Sequence, residues 1–134
     1  MEFKVEGTSA KKRKFVEAIL PSVIEQLGLT RSRKAVVIRL ESDCDGMGMT
    51  IPIDLLDSYM VVIQSKMSFK DIGLTLAHEM VHVRQMARGT LKTVNGTQYW
   101  AGRRYTKRTK YLDQPWEQDA FARQEIIFRK AIDS

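Results

Sequence analysis

Apolar residues recur every fourth position at Phe15, Ile19, Val23 and Leu27, which predicts an amphipathic helix over residues 9–27. Ser9 stands where an N-cap belongs, and Gly28 is a natural stop. Pro21 falls inside this pattern and is expected to kink or split the helix. The pattern then changes to β-branched runs. "KAVVIRLES" (34–42) predicts a first strand, and "DCDGMGMTIPID" (43–54) turns through Asp45-Gly46 into a weaker second one. "SYMVVIQSK" (58–66) predicts a third, and Pro52 suits a sheet edge, where a missing N–H costs least.

From Ser68 the helical period returns. Ser68 and Asp71 form a variant of the capping box, and one helix is predicted from about Phe69 to Arg88, ended by Gly89. Residues 89–112 show no clean period and are expected to form an irregular, basic loop. A closing helix follows, with Pro115 in its first turn and Phe121, Ile126 and Ile127 as core-facing candidates. The order helix, three strands, helix, loop, helix predicts an α+β fold. A chain of 134 residues suits one domain, spanning 1–134.

Composition narrows the setting. A chain 43% hydrophobic and 28% charged fits a globular protein, and no apolar run approaches the length of a membrane span. The first residues lack the apolar core of a signal peptide, and the single cysteine, Cys44, has no internal partner. A reducing, cytoplasmic setting is therefore expected. The net charge is +6, and Val83 to Leu112 contains no Asp or Glu but eight Lys and Arg. Such a stretch attracts anions, and Arg103, Arg104, Lys107 and Arg108 are the candidate contacts to nucleic acid or an acidic partner.

Both histidines of the chain lie in "LAHEMVHVRQ" (76–85), as His78-Glu79-x-x-His82. On a helix, residues four apart share a face, so two imidazoles can reach one metal ion. Glu79, next to His78 around the helix, is placed instead to reach a water on that ion and act as general base. The simpler alternative is two partly buried histidines with no ligand. A catalytic zinc site takes a third protein ligand. With no third histidine it must be a carboxylate, from Asp113, Glu117, Asp119, Glu125 or Asp133. Glu117 is best placed, although a carboxylate in the first turn of a helix also has a purely local role toward the exposed N–H groups. Asp119 is the competitor, or an acceptor for the other ring N–H of a ligand histidine.

The runs "LAHEMVHVRQMARG" and "PWEQDAFARQ" resemble small zinc metallopeptidases of the gluzincin type, among them the minimal gluzincins and the IrrE/ImmA-like and SprT-like groups, and especially small phage-encoded examples. In the first two groups a Glu-x-x-Ala pattern supplies the glutamate ligand, which here carries that role onto Glu117. SprT-like proteins use a third histidine that this chain lacks. The resemblance covers residues 58–128 and implies a zincin-like fold, with a small three-stranded twisted sheet on the motif helix and a cleft between that helix and the glutamate helix. It implies Zn2+ held by His78, His82 and Glu117, Glu79 as general base, and a peptide or protein substrate hydrolysed at an amide bond. It also implies strand addition of the peptide, for which Met47 to Ile51 is the candidate edge, and, for a phage protein, a host cytoplasm. Tyr99, Tyr105 and Tyr111 are the candidates for a donor to the oxyanion, Tyr111 being nearest the glutamate helix. Trp100 and Trp116 are expected in the core or the cleft wall.

Overall fold

The computed structural model describes residues 1–134 and shows an α+β fold of three helices and two sheets. Helix α1 (Ala10–Gln26) starts at the predicted cap, where Ser9 Oγ accepts from the Lys12 backbone N–H at 3.3 Å. It runs unbroken through Pro21. Both Pro21 and Glu17, whose carbonyl loses its partner there, lie on the exposed side, where water can replace the missing bond.

The predicted strands appear as β2 (Ala35–Glu41), β3 (Gly48–Ile53) and β4 (Ser58–Gln64). The expected three-stranded sheet is four-stranded, because Glu2–Glu6 adds β1 beside β2. The order is β1-β2-β4-β3. The first three run parallel and β3 antiparallel, as an edge strand carrying Pro52. Val36, Ile38 and Leu40 of β2 and Tyr59, Val61 and Ile63 of β4 are paired in register and buried on one face. The helices cover that face in a core of 23 buried residues.

Helix α2 (Phe69–Ala87) begins at Ser68, whose hydroxyl accepts from the Asp71 N–H at 3.2 Å. It brings Ile72, Leu76, Met80 and Val83 into the core, each fully buried and each worth about 1.5–3 kcal/mol of burial. Helix α3 (Pro115–Ile132) packs on it at a point where Gly73 leaves no room: a Cβ there would sit 2.1 Å from the Phe128 ring. The buried face of α3 is Trp116, Ala120, Ile127, Phe128 and Ala131. Phe121 and Ile126, expected in the core, are 46% and 59% exposed. The small alanines hold the contact line, and Phe121 lies one position around the helix from it.

The segment expected as an irregular loop is instead a second, three-stranded antiparallel sheet: β5 (Leu91–Val94), β6 (Thr97–Trp100) and β7 (Arg103–Tyr105). Two-residue turns join them at Asn95-Gly96 (φ 51° and 78°) and Ala101-Gly102 (φ 50° and 85°). Positive φ at both central positions matches the right-handed twist of a hairpin. No helix of the protein is long and apolar enough to cross a membrane.

Candidate metal centre

His78 and His82 project from the same face of α2, both buried, with ring centroids 5.0 Å apart. The first turn of α3 faces them. Glu117, third residue of that helix after Pro115, points one carboxylate oxygen, Oε1, at both rings. It lies 2.9 Å from His78 Nε2 and 3.1 Å from His82 Nε2. Three side chains, 35 and 39 residues apart along the chain, thus converge on one point.

The far side of each ring is anchored by a glutamine. His78 Nδ1 is 2.8 Å from Gln124 Oε1, and His82 Nδ1 is 2.9 Å from Gln85 Oε1. The Gln85 amide nitrogen donates to the Trp116 carbonyl at 3.0 Å and to Asp119 Oδ2 at 2.9 Å, so its oxygen is the end offered to His82. An imidazole that donates through Nδ1 carries, when neutral, a bare lone pair at Nε2. Two such lone pairs facing a carboxylate oxygen repel unless a positive species, protons or a metal ion, lies among them. The donor set, two imidazole nitrogens and a carboxylate with both rings oriented from behind, fits a divalent transition metal.

Electrostatics follow the geometry. Burial works against the Glu117 carboxylate, but the hydrogen bonds from His78 and His82 outweigh it and hold its pKa at about 2. Burial likewise opposes a charged His82, yet the bonds to Glu117 and Gln85 leave its pKa raised.

Glu79 is buried at 7% exposure but stands apart from this convergence. Its Oε1 accepts from Thr50 Oγ1 of β3 at 2.8 Å. Burial pushes its carboxyl above the usual range, against the pull of His82 and the Thr50 bond. The close approach of β3 to α2 requires Gly48, where a Cβ would meet Thr75 Cγ2 at 2.7 Å and the Val62 carbonyl at 2.9 Å. His78, Glu79 and His82 also present ligand atoms within 4.8 Å of one another, so these three could themselves hold a metal ion.

The site opens into a cleft of about 430 Å3, with His78 and Glu79 among its lining, Met47 and Gly48 from the β3 edge, and Tyr111 and Phe121. The Phe121 ring packs edge-on against His78 at 4.6 Å, which is why this large apolar residue of α3 lies outside the core. Tyr111, in a 3-10 turn over Tyr111–Asp113, donates its hydroxyl to Glu117 Oε1 at 3.1 Å. Burial and the Glu117 charge push its pKa up to about 12.

Of the other candidates, Asp119 is neither a ligand nor in contact with a ring. It binds Gln85 and, at 2.7 Å, Arg123, so it steadies His82 through an intermediary. Tyr105 packs on the buried Trp116 at 5.5 Å between ring centroids, and Tyr99 belongs to β6; neither lines the cleft. Trp100 is half-buried, also in β6. Gln85, Gln124 and Thr50 had no signal in the sequence. Glutamine and threonine in a helix or strand carry no spacing rule, and only the tertiary contacts reveal them. Compared with protein-family models, curated proteins and solved structures, the chain shows no match.

Proposed function

We propose that the chain is a zinc-dependent metallopeptidase of gluzincin type and zincin-like build, in which His78, His82 and Glu117 hold Zn2+ and Glu79 is the general base. The observation that carries this reading is the convergence of two oriented imidazoles and one carboxylate beside a second, separately held and buried carboxylate. Glu79 is the better base than ligand because Thr50 already engages its oxygen. When bound, the metal supplies Lewis-acid polarisation of water and of the scissile carbonyl.

The chain's own residues do the rest. Glu79, its pKa raised by burial, takes a proton as the water oxygen attacks the carbonyl carbon. It returns that proton to the amide nitrogen as the C–N bond breaks. Tyr111 stays protonated at neutral pH and can swing its O–H from Glu117 to the developing oxyanion. The peptide adds as a further strand to the free edge of β3 at Met47–Ile51, which borders the cleft. Cys44, the single cysteine, keeps a reducing cytoplasm as part of this reading.

The test is elemental analysis of protein purified without a metal-affinity tag, together with Glu117→Ala and Glu79→Gln. About one zinc per chain is expected for the wild type and for Glu79→Gln, with most of it lost in Glu117→Ala. Cleavage of a peptide library is expected for the wild type and absent from Glu79→Gln. A wild type that takes up no zinc sinks the proposal; cleavage that survives Glu79→Gln removes its mechanism.

A further inference from the structure

The second sheet presents two unlike faces. Its pairing register sets Leu91, Trp100 and Arg103 side by side, and likewise Thr93, Gln98 and Tyr105. This face turns inward: Leu91 is buried, and Tyr105 packs on Trp116. The alternation of a strand therefore sends Lys92, Tyr99 and Arg104 to the other face, directly opposite one another across the three strands. Lys92 and Arg104 are exposed and Tyr99 is half-buried, beside a shallow depression of about 250 Å3 that Lys92, Val94, Tyr99 and Gly102 help to line.

The charge around this row is one-sided. None of the eight cations between Val83 and Leu112 is in an ion pair. Lys107, Arg108 and Lys110 continue the basic surface beyond β7. Their positive potential is thus left for an external anion.

We propose that this face, centred on the Lys92–Tyr99–Arg104 row, binds single-stranded nucleic acid. The cations take backbone phosphates and the Tyr99 ring takes the face of a base. Adjacent strands stand about 4.8 Å apart, so the ring lies between two cations separated by about 10 Å. An aromatic ring flanked in this way favours a strand with open base faces. A duplex hides those faces in its stack, and an acidic peptide has no use for the ring. None of the three residues lines the metal cleft, and the proposal stands whether or not that cleft hydrolyses peptides.

The experiment is fluorescence anisotropy on the full chain, with labelled oligo-dT and oligo-rU of about 20 nucleotides. A duplex of equal length and an oligoglutamate peptide serve as comparators, over a salt series. Binding of dT, rU or both is expected to exceed binding of the duplex. The log of affinity should fall against log salt with a slope of about −2, for three phosphates neutralised on a single strand. Tyr99→Ala should weaken binding about tenfold with little change of slope, while Tyr99→Phe retains it. The Lys92→Ala/Arg104→Ala pair should flatten the slope by about 1. The proposal falls if no oligonucleotide binds, if the duplex binds best, or if variants that keep the wild-type circular dichroism bind as well as it does. Oligoglutamate binding as tightly as oligo-dT would overturn it in favour of an acidic protein partner.

Discussion

Thr50 of the edge strand β3 donates a 2.8 Å hydrogen bond to Glu79 of α2, tying the rim of the cleft to the buried carboxylate in its lining. This bond favours the ionised form, against the burial that disfavours it. In Thr50→Val the carboxyl loses that support and its pKa rises further. If Glu79 is the base, the acid limb of the kcat/KM–pH profile moves to higher pH. An acid limb that stays in place would mean that another group sets it.

Gln124 orients His78 from behind and offers its oxygen to Nδ1 at 2.8 Å. Replacing it by leucine keeps the bulk and removes the acceptor. Zinc affinity, read by competition with a chromophoric chelator, is expected to fall about 10- to 100-fold. An unchanged affinity would show that ring packing by Phe121 alone aligns His78.

The metal-free protein should have a characteristic pH dependence. Glu117, held at about 2, contributes stability above its unfolded value that is lost as pH falls toward about 2. His82 is shifted upward, so its contribution is present below its unfolded value and lost as pH rises through the folded one. Burial of Glu79 acts in the same direction as His82. Denaturant midpoints measured with chelator present should therefore be lower at about pH 8 than at about pH 5.5. Glu117→Gln should diminish that difference and also the loss between about pH 4.5 and about pH 2. Equal midpoints for the metal-free wild type at both upper values would contradict the charge assignment.

Ala101 occupies the left-handed region at φ 50°, in the same kind of turn that Asn95-Gly96 makes one hairpin earlier. Ala101→Asn should relieve about 1 kcal/mol of backbone strain and raise Tm by about 3 °C. A lower Tm would indicate that the methyl group makes a contact that offsets its strain.

How far the chain could be read depended on whether the relevant information was local. The α2 helix, its Ser68 cap and the histidine pair were legible because each rests on residues within one or two turns. Glu117 was legible as a helix-start carboxylate, and only its approach to both rings separated it from Asp119. Strand β1 escaped notice because Glu2-Phe3-Lys4-Val5-Glu6 is short, mostly exposed and supported by β2 rather than by its own composition. The second sheet did carry a local signal, Asn95-Gly96 between two threonine-containing runs. Its strands bury little, so the alternation that marks a strand was masked by basic and polar side chains.

The split of the histidines and their carboxylate between α2 and α3 has a consequence for folding order. Gln124 lies 46 residues beyond His78 and Glu117 lies 35 beyond His82, so no contiguous peptide from this chain contains the whole arrangement. It comes into being only when the C-terminal helix docks. Whatever cation it captures would then act as a latch on the last step of assembly, because affinity for the docked form is stabilisation of docking. Amide protons in the first turns of α3 would report that latch, exchanging slowly when it is closed and fast when it is stripped.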